Sequence, residues 1–415
     1  MTGTRKGWCP GALRPMPSGD GLIVRLRIDG GTVCPALGHA LAGCAGDFGN
    51  GLIDLTARAN LQLRGVRAAA LPALHGALAK LGLLDADPDA EAVRNVMASP
   101  LAGIDPAALI DIRPCVRALD ARLRSDTVLH QLPAKFGFAI DDGGSLPLPL
   151  DAADVAFLAG NGSFAVYLGG ESVGRCGVDA VPDVGVRLGR VFLELRGVGG
   201  EAPRRMAGLV RRIGTEAIAR AAGIDATPCD GPRRRLPRLL GERGLGRYRA
   251  FGAGVPFGRL DAKVLARLSD EAAAVNGELR LTPWRAIFVV SEHIDGGLGA
   301  RLANAGLICD DADPRRAVAA CGGMPACPHG STATHADGTR LAALARGLGG
   351  DGVTLHVSGC AKGCAHPRRA AVTLVGRDGR YDLVRGGRAN DPPAFAGLEI
   401  GAVETELQRM AASQA

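Results

Sequence analysis

The sequence predicts an α+β fold built as a pseudo-twofold repeat, and three observations indicate it. GLIDLTARANLQL at 51–63 aligns without gaps with GELRLTPWRAIFV at 277–289, and Gly, Leu and Thr match in place. A helical pattern, with apolar residues every three or four positions, precedes each copy at 32–46 and 260–275. A longer segment of mixed helical and strand character follows each copy. An internal repeat of this kind predicts two copies of one structural unit.

The elements follow in order along the chain. Residues 21–29 alternate as a strand before the first helix, and the strand-rich stretch 160–198 belongs to the segment after the first copy. The corresponding segment after the second copy contains the strands of AAVTLVGRDGRYDLV and two pairs of cysteines. A basic, Pro-containing stretch at 228–247 is the predicted junction between the halves. We therefore predict four domains, at 1–85, 86–245, 246–312 and 313–415.

Composition limits the classes of function. The 415 residues carry 49 Lys and Arg against 42 Asp and Glu, a net charge of +7. The arginines form only short clusters without interleaved aromatic residues, so no nucleic-acid partner is expected. No stretch reaches the roughly 18 consecutive apolar residues of a membrane span, and no secretory signal is recognised, so the cytoplasm is the expected location. The excess of arginine fits an anionic small molecule.

Four of the eleven cysteines are organised in two pairs. ACGGMPACPHG places Cys321 and Cys327 with five residues between them, and SGCAKGCAH places Cys360 and Cys364 with three. Zinc knuckles prefer two to four residues between paired ligands, so this spacing favours a [4Fe–4S] cluster over zinc, although zinc and unliganded thiols remain alternatives. The surrounding glycines allow backbone N–H groups to approach the sulfur atoms.

Three further motifs, DLTARANLQLRGV at 54–66, RNVMASPLAG at 94–103 and LPAKFGFAIDDGG at 132–144, accompany the cysteine spacing. As a set they resemble the sirohaem-type nitrite and sulfite reductases. The resemblance covers most of the chain. It implies two ferredoxin-like half-domains and two nitrite/sulfite reductase-type catalytic domains, the second of which holds a [4Fe–4S] cluster on the four cysteines beside a tetrapyrrole.

The same resemblance implies the site residues. Arg58, Arg94 and Lys135 match basic positions that surround the bound anion in that family, and we expect them, with His366, to be catalytic. The expected substrate-binding residues are Arg58, Asn60, Gln62, Arg64, Arg94, Asn95, Lys135, Trp284, Arg285 and Lys362. Asn60, Gln62 and Arg64 alternate along one strand, so the exposed face of an edge strand is the competing interpretation. Trp284, the repeat partner of Arg58, fits a flat wall against a macrocycle equally well as core packing.

Two departures distinguish the chain from the reductases. A second family lysine is replaced by Gly137, and the second cysteine loop reads CAKGC, with Lys362 in it. With HVSGCAKGCAHP and GWCPGALRPMPSGDGLIVRLR, the chain looks most like the precorrin-3B synthase branch of this superfamily. That branch implies an O₂-dependent monooxygenase of cobalamin biosynthesis, which hydroxylates precorrin-3A at C20 with formation of a γ-lactone.

The branch also implies the cofactors. Electrons would come from NADH through a separate donor to the [4Fe–4S] cluster, sirohaem is not expected, and O₂ would require a mononuclear non-haem iron. The sequence does not fix the ligands of that iron: His335 and Asp337 form an H-x-D pair, while His329 and His366 each follow a cluster cysteine by two. The alternatives are a sirohaem-dependent nitrite or sulfite reductase and a non-enzymatic iron–sulfur protein that binds a tetrapyrrole or transfers electrons.

Overall fold

The structure, a computed structural model, describes residues 9–225, 235–350 and 352–413. The first ten strands are β1 (Met16–Ser18), β2 (Gly21–Leu26), β3 (Thr32–Val33), β4 (Leu52–Leu55), β5 (Leu61–Val66), β6 (Val96–Ala98), β7 (Phe138–Asp141), β8 (Val155–Gly160), β9 (Ser163–Leu168) and β10 (Glu171–Gly177). The next ten are β11 (Gly241–Leu245), β12 (Tyr248–Gly254), β13 (Arg259–Asp261), β14 (Glu278–Leu281), β15 (Ala286–Ser291), β16 (Val318–Ala320), β17 (Leu355–Ser358), β18 (Val372–Arg377), β19 (Arg380–Arg385) and β20 (Phe395–Leu398).

The helices cover one face of each sheet. They are α1 (Pro35–Phe48), α2 (Leu71–Lys80), α3 (Pro88–Val93), α4 (Arg113–Ser125), α5 (Val181–Leu195), α6 (Met206–Ile213), α7 (Thr215–Ala221), α8 (Ala262–Ala274), α9 (Leu298–Asn304), α10 (Gly323–Ala326), α11 (Thr334–Arg340), α12 (Ala342–Gly347) and α13 (Ile400–Ala412). Within the described part of the chain, no helix is long and apolar enough to cross a membrane.

The strands form four five-stranded sheets that repeat in pairs. The two half-domain sheets have the orders β1-β2-β5-β4-β13 and β11-β12-β15-β14-β3, and the two catalytic sheets have the orders β10-β9-β8-β7-β6 and β16-β17-β18-β19-β20. In each catalytic sheet the first strand in the chain pairs in parallel with the second, the second pairs in parallel with the third, and the remaining pairings are antiparallel. The predicted α+β fold with a pseudo-twofold repeat is confirmed.

The repeat holds at the level of single hydrogen bonds. The Thr56 hydroxyl accepts a hydrogen bond from the Arg58 N–H at 3.3 Å, and the Thr282 hydroxyl accepts one from the Trp284 N–H at 3.2 Å. The residues that follow, Ala59 and Arg285, both have left-handed backbones, with φ of 55° and 56°. The ungapped alignment of the two sequence copies is therefore also the structural alignment.

The two half-domains exchange a strand and share one core. β13 of the second half pairs with β4 of the first, and β3 of the first pairs with β14 of the second. One cluster of buried side chains accordingly includes residues of both half-domains, such as Leu41 and Leu63 with Leu268 and Leu279.

One predicted domain boundary falls inside a β-hairpin. The division at 245/246 lies in the turn between β11 and β12, which pair with each other from Gly241 to Gly252. The sheet of the second half-domain therefore begins at Gly241, before that boundary. The predicted junction at 228–247 lies partly outside the described residues, since 226–234 are not described.

Candidate functional site

The two cysteine pairs lie at one edge of the second catalytic sheet. Cys321 follows β16 directly, and Cys360 comes two residues after β17. These strands are parallel neighbours, and the Cys321 N–H donates to the Val357 carbonyl at 3.2 Å. Because the carboxyl ends of parallel strands meet at the same edge, the two loops that carry the cysteines lie side by side.

Contacts between the loops bring the thiols into one neighbourhood. The Gly359 N–H donates to the Cys321 sulfur at 3.1 Å, and a side chain at Gly359 would lie 3.1 Å from the Gly330 Cα. Burial raises the pKa of the Cys364 thiol, and the other three cysteines raise it further, while Lys362 lowers it. All four sulfur atoms are thus close enough to interact electrostatically.

The donor set fits an iron–sulfur cluster. Within the described residues, no three His, Cys, Asp or Glu side chains are close enough together to hold a single metal ion. Four cysteines that bind separate corners of a cluster stand farther apart than four ligands of one zinc ion. Four convergent thiols with a backbone N–H donating to one of them are the ligand set and hydrogen bonding that a [4Fe–4S] cluster uses.

The first half-domain holds the segment before Cys327 in place. Arg64, only 5% exposed, donates to the Ala326 carbonyl at 2.6 Å and forms an ion pair with Asp20 at 2.9 Å. The Ser18 hydroxyl donates to the same carbonyl at 2.5 Å. The Arg64 guanidinium therefore binds the cysteine loop and Asp20, and it does not face an open cleft.

Arg94 and Asn95 are bound within the protein as well. Arg94 is 8% exposed and pairs with Asp85 at 2.9 Å, with Asp120 at 3.1 Å and with Asp29. The Asn95 amide donates to backbone carbonyls, including that of Ala92 at 3.0 Å. Arg94 and Asn60 also line a cavity of about 670 Å³ that contains no cysteine.

Asn60 and Gln62 have partners on the neighbouring strand. The Asn60 side-chain oxygen Oδ1 accepts a hydrogen bond from the Ile28 N–H at 3.3 Å, and Asn60 is buried. The Gln62 side-chain oxygen Oε1 accepts a hydrogen bond from the Arg25 guanidinium at 2.7 Å. The alternating polar residues of this strand are consequently covered by protein and do not form the exposed face of an edge strand.

Arg58 contrasts with the other arginines of the motif. It is partly buried, and burial together with Arg205 lowers its pKa. Among the described residues no carboxylate forms an ion pair with it, and its guanidinium donates to the Lys135 backbone carbonyl. The Lys135 side chain itself is exposed. A side chain at Gly137 would begin 3.5 Å from the Arg58 guanidinium, so Arg58 faces the position of the replaced family lysine.

Arg285 is a second partly buried arginine that forms no ion pair with a carboxylate in the described chain. Burial lowers its pKa. Together with Trp284 and His366, it lines a cavity of about 290 Å³ next to the second cysteine loop. Trp284 is partly buried between apolar clusters of the first catalytic domain and the second half-domain. The His366 Nε2 lies 3.3 Å from the Arg369 carbonyl oxygen.

The other candidate ligands for a mononuclear iron do not lie together at one site. His335 and Asp337 lie on α11, where residues two apart point in different directions. The His335 ring packs against Phe257, with 5.1 Å between the ring centroids. Asp337, in contrast, accepts a hydrogen bond from the Tyr381 hydroxyl at 2.5 Å. The H-x-D pair thus does not converge on one site. His329 is exposed.

One residue of this region was missed by the sequence analysis. His356, on β17, is fully buried, and its ring lies 5.8 Å from that of His366. Neither ring nitrogen has a hydrogen-bond partner among the described residues. In the sequence, His356 stands four residues before Cys360, which could have indicated a role at the cysteine loop. Its place in an apolar strand, however, is also typical of an ordinary core residue.

Known families match the first half of the chain. Residues 14–81 match the nitrite/sulfite reductase ferredoxin-like half domain, and residues 89–227 match the nitrite and sulphite reductase 4Fe-4S domain. The second match contains only Cys115 and Cys176, which are unpaired. It therefore corresponds to the copy without cysteine pairs, and the thiols belong to the copy with the same sheet topology at 313–415.

Individual relatives align with nearly the whole chain. Precorrin-3B synthase of Sinorhizobium sp is 32% identical over 415 residues, which cover 94% of this chain and 85% of the relative. A ferredoxin–nitrite reductase of Synechococcus elongatus is 29% identical over 430 residues, covering 94% and 82%. The solved structure of the Mycobacterium tuberculosis NirA protein superimposes with a TM-score of 0.72 at 22% identity, over 88% of this chain and 74% of that one. The last comparison supports the fold.

Proposed function

Because the chain belongs to the nitrite and sulfite reductase superfamily, in the branch of precorrin-3B synthase, we propose that it catalyses the precorrin-3B synthase reaction. In this reaction one oxygen atom of O₂ is inserted at C20 of precorrin-3A, and the ring A acetate closes a γ-lactone. The second oxygen atom leaves as water, which requires two electrons and two protons. Those electrons would originate from NADH and reach the chain through a separate donor protein.

Two arginines without carboxylate partners support a substrate that carries several anionic groups. Arg58 and Arg285 are partly buried, and neither forms an ion pair with a carboxylate within the described residues. Arg58 aligns in the repeat with Trp284, the neighbour of Arg285. Arg64, in contrast, is neutralised by Asp20. A buried charge without a partner is costly, so the two unpaired guanidiniums fit a ligand that supplies anionic groups. Precorrin-3A carries several carboxylates, and guanidiniums bind carboxylates through two parallel hydrogen bonds.

The remaining site residues receive roles from their positions. Arg285 would bind a substrate carboxylate in the cavity that it shares with Trp284, whose ring would lie against the flat macrocycle. Lys135, which is exposed beside Arg58, would offer an ammonium group to a second carboxylate or a proton to reduced oxygen. His366 would donate or accept protons at the mouth of the same cavity. Arg94 would act indirectly, by bracing the start of β6 through its aspartates.

The four paired cysteines are the proposed ligands of the iron–sulfur cofactor. Cys321, Cys327, Cys360 and Cys364 would hold the [4Fe–4S] cluster, which supplies single electrons when bound. The described residues offer no set of three ligands for the mononuclear non-haem iron that the resemblance implies, so no step is assigned to it. Gly359 donates to Cys321, and Lys362 contributes positive charge near Cys364. These groups of the chain stabilise thiolates and favour the acceptance of an electron.

Anaerobic purification with cofactor analysis tests the proposal. We expect about four acid-labile sulfides, iron equal to or slightly above that number, and no sirohaem absorption bands, as a [4Fe–4S] protein with a tetrapyrrole substrate requires. Added precorrin-3A, O₂ and a reductant should then give a product with one additional oxygen atom. Strong sirohaem bands in the purified protein would contradict the assignment of the cleft to a substrate.

A sirohaem-dependent nitrite or sulfite reductase is the second candidate, because ferredoxin–nitrite reductases align with most of the chain. Gly137 argues against it, since Arg58 faces the place where the family lysine would project. In a Gly137→Ala variant the added Cβ would lie 3.3 Å from the Asn95 backbone carbonyl oxygen, a tight contact that requires a small shift of the backbone. Reduction of nitrite or sulfite by the purified protein, at a rate that rises in Gly137→Lys, would favour the reductase.

A further inference from the structure

We propose that His356 is a positioning residue for the loop that joins Cys360 to Cys364, and that its ring N–H donates a hydrogen bond to a sulfur atom of the cluster. The inference rests on the iron–sulfur cluster of the proposed function. It goes beyond that function because it assigns a residue outside the cysteine motif a part in setting the reduction potential. The evidence is the burial of His356, the direction of its ring and its place in the repeat.

The His356 side chain is buried without a partner. It is 0% exposed, and neither Nδ1 nor Nε2 forms a hydrogen bond with any described residue. A neutral imidazole carries one N–H donor and one acceptor, and both lose their hydrogen bonds to water on burial. Buried polar groups in folded proteins almost always have a partner, so an unpaired imidazole indicates that a bound group completes it.

The polar edge of the ring faces the cysteine loop. Cε1 lies between the two ring nitrogens, and a Cβ added at Gly363 would be 3.6 Å from that atom. Gly363 has a φ of 61°, and the same added Cβ would lie 3.0 Å from the Ala389 side chain. Only glycine fits this position without displacement, and it lets the loop between the two cysteines lie directly against the imidazole.

The acceptor for the His356 N–H would be a sulfur atom of the cluster that this loop holds. Cys360 and Cys364 would bind two corners of the cluster, whose sulfides and thiolates accept hydrogen bonds. An N–H directed at these sulfurs stabilises the more negative, reduced state. Removal of the donor should accordingly lower the reduction potential.

The repeat supplies an internal comparison. β7 and β17 occupy equivalent places, and Ala139 pairs with Met97 as His356 pairs with Ala319. The copy at 89–227 carries no cysteine pair, and at the equivalent strand position it carries alanine. Histidine is thus present in the copy with the cysteine loop and absent from the copy without it.

Redox titration of purified holoenzyme variants tests the assignment. His356→Phe keeps the ring volume without the N–H, whereas His356→Gln keeps a donor. We expect His356→Phe to retain full iron and sulfide but to lower the midpoint by the equivalent of about tenfold in the redox equilibrium, about 59 mV for one electron. His356→Gln should shift it by less than half as much, and the control His39→Gln, at an exposed histidine of α1, should leave it unchanged.

Two results would overturn the inference: an unchanged midpoint in His356→Phe, as expected if water is the partner, or equal shifts in the Phe and Gln variants, as expected from packing. If His356→Phe does not fold, pulsed EPR of the reduced, ¹⁵N-histidine-labelled wild-type protein decides. A histidine nitrogen coupling that persists in His366→Phe supports His356, and its absence refutes it. Wild-type protein without any cluster would instead refute the proposed function.

Discussion

The Arg64 guanidinium donates a hydrogen bond of 2.6 Å to the backbone carbonyl of Ala326, across 262 residues of sequence. Ala326 precedes Cys327, while Arg64 lies on β5 of the first half-domain. The contact links a buried ion pair in one half of the repeat to the cysteine loops of the other. The geometry of the proposed cluster site therefore depends on both halves.

Arg64→Met should destabilise the protein and accelerate cluster loss. Breaking a buried ion pair costs about 3–5 kcal/mol, because Asp20 is left as an unpaired charge. Adding Asp20→Asn should restore much of the stability, but should leave cluster loss fast, since the Ala326 carbonyl still lacks the Arg64 donor and keeps only the Ser18 hydroxyl. Urea unfolding and the decay of cluster absorbance measure the two effects. The exposed Arg67→Met serves as control, and wild-type cluster retention in Arg64→Met would refute the link.

Cys360→Ser should lose the cluster, because a serine hydroxyl replaces one of four thiolate ligands. Iron and acid-labile sulfide after anaerobic purification measure this. Cys34→Ser, at an exposed and unpaired cysteine, should retain both at the wild-type level. Full iron and sulfide in Cys360→Ser would contradict the four-cysteine site.

Arg58→Met and Arg285→Met should each weaken substrate binding. A hydrogen bond to a charged group contributes about 1.5–3 kcal/mol, which corresponds to a loss of about 10- to 100-fold in affinity. Binding of precorrin-3A, or of a stable polycarboxylate porphyrin as a probe, measures the loss. Arg122→Met removes an exposed arginine paired with Asp183 and should bind normally. Equal affinities in all three variants would exclude these arginines from the site.

The protein should become less stable between pH 6.5 and pH 4, and His335 should cause part of that loss. Burial and Arg259 lower the pKa of His335 from 6.5 to about 4. In this range the unfolded chain binds a proton that the folded chain does not, so stability falls as the pH drops. His335→Phe should reduce the difference between pH 7 and pH 5 by about 2 kcal/mol, measured by urea unfolding. An unchanged pH dependence would contradict the shifted pKa.

A fragment of residues 1–85 should not fold alone. Its sheet receives β13 from the second half, and its apolar residues share a core with residues 253–307. Circular dichroism during urea unfolding should show no cooperative transition for the isolated fragment. A cooperative, monomeric transition would mean that the strand exchange contributes little to stability.

The fold could be predicted from the sequence because the repeat consists of turns and helices that depend on residues close together in the chain. The Thr56 and Thr282 turns and the helices before them need only nearby residues, so one alignment located both copies. The cysteine loops were also predictable, since their spacing carries the chemistry.

Partners distant in sequence could not be predicted in the same way. Nothing in the residues near Arg64, Arg94 or Asn95 indicates that aspartates and carbonyls from other segments bind them. Conversely, Arg58 and Arg285 look like any other arginines until the absence of a nearby carboxylate in the described structure is seen. His356 was missed because burial without a partner is visible only in three dimensions.

The most direct test of the account is a single turnover of the anaerobically purified, reduced protein with precorrin-3A and ¹⁸O₂, followed by mass spectrometry of the tetrapyrrole. We expect the product to carry one ¹⁸O atom and a γ-lactone, and we expect no product without O₂. Unchanged precorrin-3A in protein with a complete cluster, together with reduction of nitrite or sulfite by the same sample, would contradict it.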